Sequence, residues 1–89
     1  MQYVYVLLSE KDGDLYTGCT KDLRERLKLH NAKKVSSTAK RTPFVLIYYE
    51  AYINSHDAYN REIYMKTQWG RNYLKKILAN FFISKNFNG

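Results

Sequence analysis

Several residues in this chain have types and spacings that structure alone does not require. Glu62 is the first. On a helical wheel Ala58, Glu62, Met65 and Trp69 follow an i, i+4, i+7, i+11 stripe, so a carboxylate stands in the middle of an apolar row. An ionised carboxylate is very costly to bury alone, so Glu62 must be paired, metal-bound or at a cleft edge. A salt bridge, or a helix rotated enough to expose it, would serve equally. Arg26 and His30 lie four apart on one helix face beside Leu23 and Leu27, where they can reach a cleft or simply form a solvated basic face. Tyr5 and Tyr16 project from one sheet face if the connection between their strands leaves an even count. They become direct cross-strand neighbours if Leu8 to Gly13 form the whole connection, which the sequence leaves open. Gly18 shares the face of Tyr16 and has no side chain, so a backbone or ligand can come close. A packed tyrosine pair is the plain alternative.

The elements that must position these groups are legible in outline. Tyr3 to Leu8 is β-branched and aromatic on both alternating faces, as in a strand covered on both sides. Asp12-Gly13 signals a hairpin, and Leu15 to Cys19 is the return strand. Thr20 can cap a helix from about Lys21 to Lys34, with Leu23 and Leu27 as its buried stripe. Asn31 to Pro43, with Lys33, Lys34, Lys40 and Arg41, reads as a basic surface loop. Phe44 to Tyr52 forms the third strand. Asn54 or Ser55 can cap a second helix to about Trp69, stopped by Gly70. Tyr73, Leu74, Ile77, Leu78 and Phe81 mark a last helix. The order β-β-α-β-α-α gives an α+β fold with a small three-stranded antiparallel sheet flanked by helices, as one domain over residues 1–89.

Composition narrows the functions. With 45% hydrophobic and 26% charged residues, the chain is neither disordered nor membrane-spanning in type. The start, Met1-Gln2-Tyr3-Val4-Tyr5, lacks the features of a signal peptide, and with one cysteine, Cys19, no internal disulfide can form; both favour a reducing cytoplasm. Fifteen Lys+Arg against eight Asp+Glu leave a formal charge of +7. That favours a polyanionic partner, nucleic acid first, with anionic membrane surfaces and acidic proteins as the other classes. The nine tyrosines can stack on bases but also suit strands and core.

Taken in order, these residues strongly resemble the GIY-YIG endonuclease family. Tyr3-Val4-Tyr5 stands at the first motif and Tyr16-Thr17-Gly18 at the second. Asp22 through Asn31 is similar to the family's first helix, with its arginine at Arg26 and its histidine at His30. Arg61-Glu62 matches at the metal-binding glutamate. Thr38 through Glu50 and Lys66 through Lys76 are similar to the compact, stand-alone bacterial branch, itself similar to the nuclease domain of the excision-repair C subunit, which implies a DNA-repair setting. Tyr3, Val4 and Thr17 depart from the motifs' Gly, Ile and Ile, at backbone and packing positions.

The resemblance implies a metal-dependent endonuclease acting on nucleic acid, DNA first. Tyr5 would be the general base, assisted by Tyr16. Nearby cations must lower its pKa from about 10 for that to work near neutrality. Glu62 would hold one Mg²⁺ or Mn²⁺, Arg26 would clamp the phosphate, and His30 would bind it or help proton transfer. Lys33, Lys34, Lys40 and Arg41 are candidates for backbone contacts. No appended DNA-binding domain fits, which leaves a protein partner or a homodimer to supply substrate specificity. A catalytically idle nucleic-acid-binding module of the same fold is the alternative, and a protein-interaction domain with a basic surface is a further one.

Overall fold

The centre of the sheet goes to the strand whose residues are apolar on both faces. In the computed structural model, which describes residues 1–88, β1 (Gln2–Ser9) pairs antiparallel with β2 (Leu15–Thr20) on one side and β3 (Phe44–Tyr52) on the other. Val4 through Ser9 are all buried. The sheet order β2-β1-β3 places β2 at an edge. Alternation sends Val4 and Val6 to one face, where Ala58, Met65 and Leu74 cover them, and Tyr5 and Leu7 to the other, with Phe44 and the partly buried Leu23 and Leu27. A bulge between Val6 and Leu7 skips Ile47 in the partner strand.

The hairpin turn is closed by Ser9, whose Oγ accepts from the backbone N–H groups of Lys11 (3.2 Å) and Asp12 (3.1 Å). Gly13 takes φ +73°, a conformation open to glycine. The first helix is shorter than the sequence suggests. α1 spans Leu23–Asn31, and its cap is Asp22, not Thr20: the Asp22 carboxylate accepts from Glu25 N–H at 3.0 Å. Beyond it, Lys33 is left-handed (φ 62°). The Asn31 side chain is tied to the start of β3, accepting from Phe44 N–H at 2.7 Å and donating to Phe44 C=O at 3.1 Å.

Two boundaries fall elsewhere. α2 (Ser55–Met65) is capped by Asn54 and ends before Trp69. A new cap, Thr67, starts α3 (Gln68–Ile77). Its Oγ donates to Tyr64 C=O at 2.6 Å and accepts from Gly70 N–H at 3.2 Å. Trp69 therefore leaves the row of Ala58, Glu62 and Met65 and is 76% exposed. The apolar C-terminal stretch forms two helices, α3 and α4 (Ala79–Asn88), divided at Leu78, so the order gains one helix. Among the described residues no helix is long and apolar enough to cross a membrane.

Gly70 is not a helix stop but the point where α3 crosses the end of α2. A Cβ there would lie 2.5 Å from Met65 Cα and closer still to the Tyr64 carbonyl oxygen. Alanine would gain about 1 kcal/mol in helix propensity, but separating two backbones costs about 1–3 kcal/mol, and backbone yields less readily than a side chain. Gly70→Ala is thus expected to lower the urea midpoint at unchanged slope. An equal or higher midpoint would show that α3 can shift at no cost.

Candidate active site

Register decides how the two tyrosines meet. Tyr5 pairs with Gly18, and Leu7 with Tyr16, so Tyr5 and Tyr16 share a face but stand diagonally, ring centroids 6.4 Å apart. The space above Gly18 is filled by Tyr5 itself. A Cβ on Gly18 would sit 2.5 Å from Tyr5 Oη and 2.7 Å from Cζ. The small residue thus lets the phenol lie across β2.

α1 brings two further groups to that hydroxyl. His30 is fully buried, on the stripe rather than at its border. Its Nε2 is 2.9 Å from Tyr5 Oη, and half-buried Arg26 donates from Nε to the same oxygen at 3.4 Å. Tyr16 and Phe44 flank the imidazole edge-on, with centroids at 5.0 and 5.9 Å. On its far side, Nδ1 lies 2.8 Å from Thr38 Oγ1. The sequence assigns Thr38 no chemical role, placing it only at the start of the stretch through Glu50 that is similar to the stand-alone branch; the loop fold brings it to His30.

Burial, and then the positive charge of Arg26, hold His30 down to about 4, so the ring is neutral at physiological pH. Burial also raises Tyr5 above its ordinary range. The Arg26 hydrogen bond and charge oppose that, and Tyr16 and Glu62 reinforce it. A general base working near neutrality calls for cations that lower Tyr5. Arg26 does act in that direction, but desolvation is larger.

Glu62 reaches this cluster from the other side of β2, and its charge is felt at Tyr5. Its side chain is 16% exposed and accepts from Lys66 Nζ at 2.8 Å, one helical turn on; Lys66 is 54% exposed. The pair holds the ammonium of Lys66 above its usual value. Beside it, burial and then the Glu62 carboxylate push the Cys19 thiol up to about 12, so it stays protonated. Among the described residues no three His, Cys, Asp or Glu side chains cluster as a metal cage. Of these groups only the Glu62 carboxylate can ligate a hard cation; one that takes a single protein oxygen and keeps several waters fits it once the largely exposed Lys66 ammonium gives way.

Arg24, not Arg26, lines a surface cavity of about 470 Å³ with Tyr3, Leu23 and Tyr49. Tyr5, Tyr16, Arg26, His30 and Glu62 do not line it. In the basic loop, Lys33, Lys34 and Lys40 are exposed. Arg41 is engaged otherwise, bridging to Asp12 across the hairpin (2.6 and 3.3 Å) and stacking over Phe44 at 5.6 Å. The structure therefore brings Tyr5, Tyr16, Arg26 and His30 together; Glu62, on α2, is linked to them only through its charge at Tyr5, and the loop cations make none of these contacts.

Residues 1–76 match the GIY-YIG catalytic domain. The chain is 38% identical over 89 residues to a UPF0213 protein of Pediococcus acidilactici, covering 97% of this chain and 90% of that one. It is 36% identical over 88 residues to a UPF0213 protein of Clostridium perfringens, covering 98% and 94%. The solution NMR structure of a UPF0213 protein from Bacillus halodurans is similar with a TM-score of 0.54 at 33% identity, over 86% of this chain and 85% of that one. With the domain match spanning the whole tyrosine, arginine, histidine and glutamate cluster, this chain belongs to the GIY-YIG family and carries its nuclease fold.

Proposed function

We propose that this chain, acting as one domain in the cytoplasm, is a divalent-metal-dependent endonuclease hydrolysing phosphodiester bonds of nucleic acid, DNA first. The observation that carries the reading is the Tyr5 hydroxyl held between His30 Nε2 and Arg26 Nε. Hydrolysis requires that water lose a proton as it attacks phosphorus and that the phosphate charge be met. Tyr5 is raised, so it is not a standing phenolate. It takes the water's proton while passing its own to the neutral His30 across 2.9 Å. Arg26, half-buried, meets the phosphate and steadies the phenol oxygen. Tyr16, less buried than Tyr5, forms the outer wall. Glu62 would hold Mg²⁺ or Mn²⁺, which supplies Lewis-acid charge to the phosphate when bound. Lys33, Lys34 and Lys40 would track the backbone, with Arg41 contributing less because Asp12 holds it. A protein partner or second copy would choose the substrate, in DNA repair or another pathway.

One observation favours an idle binding module instead: Tyr5 is only 1% exposed, so water must reach it past Tyr16. Cleavage of branched, flapped, single-stranded and duplex DNA with Mg²⁺ or Mn²⁺ decides between the readings. Chelator is expected to stop cleavage and spare binding. Tyr5→Phe should lower kcat by about 10²–10⁴, and Tyr16→Phe by less. The reverse ranking would move the base to Tyr16; binding without cleavage in every case would leave the idle module.

Glu62→Leu separates metal holding from a structural ion pair. Lys66 is an exposed i, i+4 partner, a pairing worth about 0.3–0.5 kcal/mol. The variant should melt within about 1 kcal/mol of the wild type in chelator and be inactive. A loss of about 3–5 kcal/mol would mark a structural pair, and retained cleavage would remove Glu62 from the reaction.

His30 gives a pH test. Between its folded value of about 4 and the unfolded value of about 6.5, the unfolded chain binds the proton and the native chain does not. Stability therefore falls as pH drops through that window, by on the order of 1–3 kcal/mol. NMR titration should find the His30 ring neutral at pH 6; a protonated ring there would break the Tyr5 relay.

A further inference from the structure

Thr38 is 0% exposed and lies in the loop after α1, apart from the tyrosine, arginine, histidine and glutamate positions given chemical roles above. Its Oγ1 stands between His30 Nδ1 at 2.8 Å and Val35 C=O at 3.3 Å. The Val35 carbonyl can only accept, so it takes the single hydroxyl proton of Thr38. The oxygen of Thr38 then has only lone pairs for His30, which must donate from Nδ1. With the proton on Nδ1, Nε2 carries a lone pair and accepts from the Tyr5 hydroxyl. Three donors run in series into three acceptors. In the opposite tautomer Nε2–H would point at Tyr5 Oη, which already accepts from Arg26. The Tyr5 proton would then lose His30 as its acceptor, and Thr38 would turn from Val35. In a buried site the first arrangement satisfies one more hydrogen bond.

We propose that Thr38 is a positioning residue that fixes the tautomer of His30, so that Nε2 faces Tyr5 as the proton acceptor. This rests on the reading of Tyr5 and His30 as the proton-transfer pair. It adds that the direction of the transfer is set from outside the pair. Local geometry holds Thr38 in place: its N–H bonds to Val35 C=O at 3.1 Å, and its C=O accepts from Arg41 N–H at 2.9 Å. Arg41 is itself clamped to Asp12. The hydroxyl is thus delivered by a tied turn rather than by a free loop.

The test uses ¹⁵N-labelled full chain without substrate, so it reads the tautomer whether or not the protein turns over. In the wild type, His30 should show protonated Nδ1 and bare Nε2. Thr38→Val keeps the shape and removes both the acceptor and the donor; its His30 spectrum should shift toward the other tautomer or a mixture. In the cleavage assay kcat should fall about 10–100-fold with KM unchanged, and Thr38→Ser should restore both spectrum and rate. A wild-type ring protonated on Nε2, a tautomer unmoved in Thr38→Val, or a serine variant as impaired as the valine one would each overturn the proposal. If the wild type shows the Nδ1 tautomer but never cleaves, the nuclease reading fails and the role of Thr38 in setting the tautomer stands.

Discussion

A phenol, an imidazole and an aliphatic hydroxyl are buried together at the heart of this molecule, and buried polar atoms must be hydrogen-bonded. Tyr5, His30, Thr38 and the Val35 carbonyl satisfy one another in a row, and among the described residues no buried side-chain polar atom is left without a partner. Much of the local fold follows from keeping that row intact. Gly18 must lack a side chain for the phenol to lie flat. Asp22 starts α1 where His30, two turns on, falls under the sheet. The Arg41–Asp12 bridge pins the loop that carries Thr38 to the hairpin. An error at any of these points would strand a donor in a dry interior, at about 1–3 kcal/mol each.

The opposite face of the sheet has a separate task, which is to fix the rotation of α2. Glu50 on β3 accepts from Tyr48, from Tyr52 and from both Nε and an Nη of Arg61, and the Arg61 guanidinium lies over the rings of Tyr64 and Tyr73. A planar fork bonded twice along one edge and packed over two rings has little freedom to turn. The next residue along the helix is Glu62. Gly70 then sets how closely α3 presses on the end of α2. Glu62 therefore stands at the β2 edge because a polar clamp and a backbone contact place it there, while its own partner, Lys66, is exposed.

The residues proposed for chemistry are legible where they depart from their local pattern: a carboxylate in an apolar row, a cation and an imidazole beside a leucine stripe, a glycine sharing a strand face with a tyrosine. The three strands were legible because alternation and turn chemistry agree. The helix ends were not. Thr20 and Asp22 are both good caps, and only the geometry of the turn favours Asp22. Gly70 has the composition of a stop and the location of a packing contact, which differ only in three dimensions. Leu78 divides one apolar periodicity into two helices without any Gly or Pro to announce it. Arg41 was counted among the free cations because its partner, Asp12, is 29 residues away. Thr38 and Lys66 open stretches similar to the stand-alone branch, but nothing in the sequence gives either one a role; that lies in what folding places next to them.

The raised Tyr5 bears on why proton transfer would be built this way. A tyrosine working as a standing phenolate at neutrality would have to offset about 4 kcal/mol even at its ordinary pKa of about 10, and more when burial raises it. A neutral imidazole already bonded at 2.9 Å removes the need for that standing charge, because the phenol gives up one proton as it gains another. What remains is the imidazolium formed beside Arg26, two cations in a site of low dielectric. Burial first, and then that repulsion, hold His30 low in the free protein. A phosphodiester arriving at Arg26 brings the negative charge that relieves it. On this reading the same arginine adds to burial in keeping the acceptor neutral while the site is empty, and its share of that penalty is lifted when substrate is present.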